Sequence, residues 1–408
     1  MAAQALTVSL LLALCAMQIH VIVQDGDLIL RVEHPSHTPV NLRLSIDVLR
    51  RESKYFDRLL QPGRFGEGSR IAIELQHLQS RYQTLAEVPS NELPSILVTE
   101  LGRISSIKSL SALMTDFFNI LHGKGLAASP PVQNLANLAV IADRFDALES
   151  VRSYIARKKI LRTIEGKTTP KKDVALAEEK VRQRLLVAVM LDYPPWMGKY
   201  SGRLITKGWV GREIDIDKPM WWDIPSGVEY ELTVRRAYIL DTLESLQTHF
   251  LGLYTSRERQ CRLGYDSSPQ CDSFQLGEML RFFTRIGTMR VQGTISDAAQ
   301  PPEPYAGDIF TLVDSLRQIP EYQIDRNHSH CGIRSRMVPL LDSLQECLHF
   351  VGICAECWME DREQCAWRDT KRPLSWKMQG FRLREQSHTN RHADLRCLFT
   401  AVEKDWSN

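Results

Sequence analysis

The sequence predicts an α+β protein in two parts: a small sheet flanked by helices, followed by a mostly helical region. Two short runs with β-propensity, "DLILRV" and "VNLRLS", are separated by the turn formers "HPSHTP", which is typical of a hairpin. Apolar residues then recur at helical spacing through most of the chain. All eight tryptophans lie at or after Trp196, and every cysteine except Cys15 lies at or after Cys261. The two parts therefore differ in composition.

Composition and charge narrow the classes of function. The 408 residues are enough for two or three domains. The net charge of +2 is too small to attract the whole protein to nucleic acid or to a membrane surface. No apolar run is long enough to span a bilayer comfortably. No GxSxG, HExxH or Walker box is present. We therefore predict that the protein is not an enzyme, has no small-molecule substrate and does not bind nucleic acid.

Residues 1–20 form an apolar leader that contains "LTVSLLLALCAM". It resembles a signal peptide only in part, because no Lys or Arg precedes the apolar run. The alternatives are an extra strand or helix, or an artefact of the gene model. Removal of the leader would leave eight cysteines, and "NHS" at Asn327 is a glycosylation sequon. Secretion as a disulfide-bonded protein is thus one hypothesis for the whole chain.

Residues 21–160 are predicted to form the α+β part. After the hairpin we predict one helix from Ile46 to Leu59 that ends at "PG", then a strand "RIAIEL" preceded by the loop "GRFGEG". Residues 76–105 are of uncertain class. A helix that stops at Gly123 and a pair of helices follow, and Asp146 with Glu149 forms a predicted capping box. The predicted core consists of Leu28, Leu30, Leu44, Leu49, Phe56, Ile73, Phe117, Leu138 and Phe145.

Three stretches carry a family resemblance: "DGDLILRV", "LSIDVLRRESKYFDRLL" and "LANLAVIADRFDALESVRSYI". In this order, with strands before helices, they resemble the BTB/POZ domain of fungal proteins over residues 21–160. Downstream, "RLLVAVMLDYPPWMGKYSGRLI", "CRLGYDSSPQC" and "VGICAECW" resemble the helical, cysteine-containing half of a group of fungal BTB proteins.

The resemblance implies a non-enzymatic interaction module that dimerises and acts as an adaptor or regulatory scaffold in the cytoplasm or nucleus. In related proteins the partners include cullin ubiquitin-ligase scaffolds and transcriptional corepressors. Asp27 resembles the acidic residue that BTB proteins carry at the dimer edge. We therefore predict protein partners, self-association and an interface role for Asp27, and a cullin is one candidate partner.

Residues 161–175 are predicted to be a basic linker, and residues 176–408 a helical C-terminal domain with a cysteine cluster. The run "RKKILRTIEGKTTPKK" ends in this linker. It is typical of a solvated connection, and the alternative is a nuclear import signal.

The cysteines suggest a structural zinc site. Cys354 and Cys357 form a CxxC motif, which places two thiolates on one turn of chain. We predict that two more ligands come from Cys261, Cys271 and Cys331, with His330 as a spare candidate. The alternatives are thiols buried as small hydrophobes, or disulfides. Zinc binding together with nuclear import would make the protein a zinc-stabilised nuclear regulator.

Overall fold

The computed structural model describes residues 18–105, 107–126, 130–213, 215–263, 268–290, 304–371, 373–375 and 386–407. The protein is α+β, as predicted. It divides into two compact units, Met1–Tyr193 with Ile214–Pro225, and Pro194–Glu213 with Ser226–Asn408. The division thus lies after Tyr193, whereas the sequence placed it at the linker 161–175. None of the described helices is both long and apolar enough to cross a membrane.

The first unit contains a four-stranded mixed sheet with the order β1-β3-β2-β4. Strands β2 and β3 form the predicted antiparallel hairpin, in which Leu28 pairs with Leu44 and Leu30 with Leu42. Strand β1 pairs parallel with β3, and β4 pairs parallel with β2. The strands are Ile19–Val21 (β1), Leu28–His34 (β2), His37–Leu44 (β3) and Ser95–Val98 (β4). Residues 1–17 of the predicted leader lie outside the described residues, whereas Ile19 and His20 belong to β1.

In the part of the chain that the structure describes, the α-helices of the first unit all follow β3, three of them before β4 and six after it. Their bounds are Ile46–Glu52 (α1), Lys54–Leu60 (α2), Gly66–Arg81 (α3), Leu110–Leu121 (α4), Val132–Arg144 (α5), Leu148–Arg157 (α6), Ile160–Lys167 (α7), Pro170–Val174 (α8) and Glu178–Met190 (α9), with 3₁₀ turns at Leu85–Glu87 and Met220–Trp222. The segment predicted to be a basic linker is therefore largely helical in α7 and α8.

Three local predictions for this unit were wrong. "RIAIEL" lies inside helix α3, so that Ile71 is buried while Ile73, a predicted core residue, is 58% exposed. The single helix predicted after the hairpin is broken at Ser53, whose hydroxyl donates to Phe145 O and accepts from the Phe56 N–H. The capping box at Asp146 is absent, because Asp146 has φ of 47° and α6 begins without a side-chain cap.

The core of this unit is otherwise as predicted. The other eight predicted core residues are all buried. At its centre, Phe56 stacks on Phe145 with ring centroids 5.2 Å apart, and Phe117 contacts both Phe145 and Phe118. These rings come from α2, α4 and the end of α5, so they join the segments on either side of β4.

The second unit is mostly helical, as predicted for the C-terminal part. Its longest helix, Val228–Thr255, buries Leu232, Ile239, Leu243, Leu246 and Phe250, which are three, four or seven residues apart. The helices are Pro194–Lys207 (α10), Val228–Thr255 (α11), Pro269–Arg285 (α12), Ile309–Arg317 (α13), Arg334–Leu348 (α14), Ala355–Glu360 (α15), Arg362–Cys365 (α16) and His388–Thr400 (α17), with a 3₁₀ turn at Arg326–His328. Two short parallel strands, Leu374–Ser375 (β5) and Lys404–Asp405 (β6), complete the unit.

Candidate metal centres

The structure separates the five predicted zinc ligands into two groups. Cys354 and Cys357 lie with His388 and His392, and the donor atoms of these four residues are all within 4.8 Å of one another. Cys261 and Cys271 lie instead with His328 in a second group, which Cys331 contacts. The prediction of one centre that combines members of both groups was therefore wrong. None of the eight described cysteines forms a disulfide.

The CxxC motif occupies the start of a short helix. Cys354 is the N-cap residue of α15, and Cys357 lies in its first turn. The motif therefore places both sulfurs on one turn of chain, and both lie within 4 Å of the His388 ring nitrogen Nε2.

The two histidines come from the start of α17. His388 and His392 are four residues apart and therefore share one face of the helix. Their rings meet edge to face with centroids 4.7 Å apart. Nε2 of His388 lies 2.8 Å from Cys354 Sγ and 3.8 Å from Cys357 Sγ. Two segments that are distant in sequence thus present two sulfurs and two imidazoles to one point.

The donor set fits zinc. With Zn–S bonds of about 2.3 Å and Zn–N bonds of about 2.05 Å, the ligand atoms of a tetrahedron are separated by roughly 3.3 to 3.8 Å. A cluster whose donor atoms all lie within 4.8 Å needs only small side-chain shifts to reach that geometry. Two cysteines and two histidines form one of the common closed ligand sets of structural zinc sites.

The pKa values of Cys357 and His392 indicate which protons this cluster holds when no cation is bound. Burial and the neighbouring Cys354 and Cys365 raise the pKa of Cys357 to about 12. Burial lowers the pKa of His392 to about 4, with His388 and Arg235 acting in the same direction. The imidazole is thus neutral at pH 7, as a metal ligand must be. A bound divalent cation would displace the thiol protons, because it stabilises the thiolates.

Arg235 of the long helix α11 supports the CxxC helix from inside the unit. Its guanidinium donates to the carbonyls of Val351 and Gly352 at 2.9 Å and to that of Cys365 at 3.3 Å. Its Nε donates to the buried carboxylate of Glu231 at 2.7 Å. The chain before and after α15 is thereby fastened to one side chain.

Helix α10 fixes the same segment from another side. The Ile353 N–H donates to the buried Ser201 hydroxyl at 2.8 Å. Gly352 lies so close to α10 that a Cβ there would sit 2.0 Å from Gly198 O. A glycine is required for this approach of two backbones, and the approach sets the position of Cys354 two residues later.

A small cavity of about 110 Å³ lies beside the cluster, lined by Cys354, Cys357, His392, Arg235 and Trp367 among others. The Cys365 thiol points to the same region and donates to Cys357 O at 3.1 Å. Cys347 is buried in α14, and burial raises its pKa to about 12, so it fits the alternative of an apolar core thiol.

Sequence reasoning missed the histidine ligands. "HTNRH" carries His388 and His392 at the H-x₃-H spacing that commonly pairs with CxxC in zinc sites, and this spacing could have identified them. His328 precedes Cys331 in "HSHC". His330, the spare candidate, is exposed, has φ of 66° and belongs to neither group.

Asp27, the predicted interface residue, is engaged within the first unit. Its half-buried carboxylate accepts the Ile46 N–H at 2.8 Å and so caps the start of α1. Its backbone N–H donates to Leu44 O at the end of β3. Asp27 therefore links the hairpin to the first helix.

Comparison of the chain with models of protein families, with curated proteins and with solved structures finds no match.

Proposed function

We propose that this protein is a non-enzymatic interaction protein whose C-terminal unit is stabilised by a structural zinc ion. The zinc ligands are Cys354, Cys357, His388 and His392. The observation that carries the proposal is the convergence of their four donor atoms within 4.8 Å.

The ligand number favours a structural role. Catalytic zinc sites keep a coordination position open for water or substrate and usually have three protein ligands. Here four side chains fill the tetrahedron, so no position is left for a substrate. The closed set therefore supports a stabilising ion and a protein without zinc-dependent catalysis.

Zinc would act here by adding a cross-link to the short segments that Arg235 and α10 already hold on one side. Helices α15 and α16 have only six and four residues, and helices this short are unstable alone. Binding energy at a structural zinc site becomes folding energy, of the order of 10 kcal/mol in small zinc-binding domains. The ion would fasten α15 to the start of α17 and complete the fold of this region.

The interaction role is proposed for the first unit. Hairpin, helices, strand, helix and helix pair follow one another in the order that the BTB/POZ resemblance implies. Strand β4 is an edge strand, and its Leu97 side chain is 55% exposed. Exposed strand edges pair with other chains. We propose a second copy of this chain as the first partner, and the resemblance adds cullin scaffolds and corepressors in the cytoplasm or nucleus.

The zinc proposal is tested on the full chain by elemental analysis and thermal unfolding. We expect the double variant Cys354→Ser/Cys357→Ser to contain one zinc ion fewer than the wild type and to unfold at lower temperature. Cys397→Ser is the matched control, because Cys397 lies on the same helix α17 as the histidines but outside the cluster. Equal zinc content in wild type and double variant would refute the proposal.

Thiol counting on the same sample tests the secreted alternative. Free or zinc-bound thiols that all react after chelation agree with the proposed function. Cysteines that stay unreactive until they are reduced would identify disulfides and favour the secreted protein.

A further inference from the structure

The second unit brings a second set of soft ligands together, away from the Cys₂His₂ cluster. Donor atoms of Cys261, Cys271 and His328 lie within 4.8 Å of one another. Cys331 Sγ lies 4.0 Å from Cys261 Sγ and also hydrogen-bonds the Cys271 thiol. We infer that Cys261, Cys271, His328 and Cys331 form a second structural zinc centre of the Cys₃His type.

The sequence separation of these ligands makes chance packing a poor explanation. Cys261 follows α11, Cys271 lies in the first turn of α12, His328 ends a 3₁₀ turn and Cys331 precedes α14. Three separate segments thus contribute the four donors, because His328 and Cys331 lie three residues apart in one of them. Cys271, His328 and Cys331 are buried, and each buried thiol lies next to other potential ligands, whereas the buried Cys347 belongs to neither ligand group.

The Cys261 sulfur has hydrogen-bond partners in the backbone of Ser268 and Leu263 and in the two neighbouring thiols. Three sulfurs this close would repel one another as thiolates, and a divalent cation among them would remove that repulsion.

His328 has the partner that orients zinc-binding histidines. Its Nδ1 lies 2.8 Å from Asp325 Oδ1, and the same oxygen accepts the backbone N–H groups of Asn327 and His328. A carboxylate on one ring nitrogen fixes the tautomer and directs Nε2 toward the metal. The carboxylate–histidine pair is therefore arranged as in the outer shell of a zinc site.

The surrounding chain holds the four ligands in place. The Gln260 N–H donates to Asp272 Oδ2 at 3.0 Å, which links the neighbours of Cys261 and Cys271. The Tyr254 hydroxyl donates to Cys331 O at 2.8 Å. Arg336 donates to that hydroxyl and packs over the Tyr254 ring. Its positive charge lies near a centre that would carry a net charge of −1 with Zn²⁺, three thiolates and a neutral imidazole.

This centre would stabilise a different part of the second unit. It would cross-link the chain after α11 to the start of α12 and to the chain before α14, whereas the Cys₂His₂ centre would cross-link α15 to α17. The inference does not depend on the zinc ion of the proposed function, because the two ligand sets share no residue.

Zinc counting on the full chain separates the two proposals. We expect two zinc ions per wild-type chain, one in Cys261→Ser/Cys331→Ser and one in Cys354→Ser/Cys357→Ser. A wild type with a single ion that Cys261→Ser/Cys331→Ser retains would overturn this inference and leave the proposed function intact. A single ion that only Cys261→Ser/Cys331→Ser loses would support this centre and refute the proposed function.

Cobalt substitution tests the ligand type. We expect Co²⁺ in Cys354→Ser/Cys357→Ser to show a stronger sulfur-to-cobalt charge-transfer band than Co²⁺ in Cys261→Ser/Cys331→Ser, because three thiolates bind it instead of two. The reverse order of intensities would contradict the assignment.

Alkylation of the wild type tests the centre even if the variants fail to fold. We expect Cys261 to be protected from iodoacetamide until a chelator is added, while the control Cys397 reacts equally before and after. Equal reactivity of Cys261 with and without chelator would overturn the inference. A Cys261–Cys331 disulfide, detected as a mass lower by two hydrogens, would also overturn it.

Discussion

Cys354 Sγ lies 2.8 Å from Nε2 of His388, a residue 34 positions later in the chain. A contact of this kind closes a long loop, and chain entropy opposes such closure unless other interactions offset it. The structure supplies two supports on the CxxC side, Arg235 from α11 and Gly352 against α10. Variants of Arg235 and Gly352 test these two contacts without changing any proposed metal ligand.

Arg235→Met is expected to destabilise the protein by about 3 to 5 kcal/mol, because it leaves the buried Glu231 carboxylate without its ion-pair partner. The double variant Glu231→Gln/Arg235→Met should recover part of that loss. Urea unfolding of the full chain measures both. Arg281→Met is the control, since Arg281 is 80% exposed in its pair with Glu278 and should change stability little. Equal effects of Arg235→Met and Arg281→Met would contradict the predicted support.

Gly352→Ala is expected to lower stability by about 1 to 3 kcal/mol, because its Cβ would overlap Gly198 O. It should also weaken zinc retention during dialysis against a chelator, since the displaced backbone carries Cys354. Gly252→Ala is the matched control: a Cβ at Gly252 in α11 meets no atom within 4 Å. Alanine there should stabilise the helix by about 1 kcal/mol. Unfolding midpoints that move in the same direction for both variants would argue against the steric account.

Asp27→Ala should cost about 1 kcal/mol of stability because it removes the cap of α1, whereas Asp27→Asn keeps an oxygen for the Ile46 N–H. Burial raises the pKa of Asp27, although that N–H lowers it. An acid with a raised folded pKa favours folding most at low pH, and this contribution is lost as the pH rises. The stability of Asp27→Asn relative to wild type should therefore increase as the pH rises above the ordinary value of 3.8. A pH-independent difference in unfolding free energy would count against this role.

Leu97→Lys is expected to weaken self-association, because it places a charge on the exposed edge strand β4. Ile73→Lys is matched in exposure, 58% against 55%, but lies on helix α3. Sedimentation of the full chain should show a shift toward monomer for Leu97→Lys only. At concentrations where the wild type is monomeric, neither variant should change the unfolding midpoint. An unaltered association of Leu97→Lys would remove β4 as the contact surface.

Sequence patterns predicted the hairpin, the helices α4, α5 and α6 and eight of nine core residues, because apolar periodicity reports directly which faces are buried. "RIAIEL" shows the limit of that signal. Ile71, Ile73 and Leu75 alternate as in a strand, yet Ile71 and Leu78 are the buried positions and are seven residues apart on a helix. A window of six residues is too short to distinguish these two periods.

The metal ligands show a different limit. The cysteines were identified as a group, but spacing alone could not assign them to two centres. Cys261 and Cys331 approach each other across 70 residues, and only the packing of α11, α12 and α14 brings them together. The H-x₃-H spacing of His388 and His392 could have been recognised in the sequence. The hydrogen bond between His328 and Asp325 could not, because it depends on the geometry of one turn.

The parallel pairing of β2 with β4 has a consequence for synthesis of the chain. Residues 35–94 separate the two strands, and at 5 to 20 residues per second β2 waits roughly 3 to 12 seconds for this neighbour. During that time the hydrogen-bonding edge of "LILRV" is open while the hairpin partner β3 is already available on its other side. Chaperone binding or a second nascent chain would compete for this edge, so aggregation during translation should be most sensitive to changes in this strand.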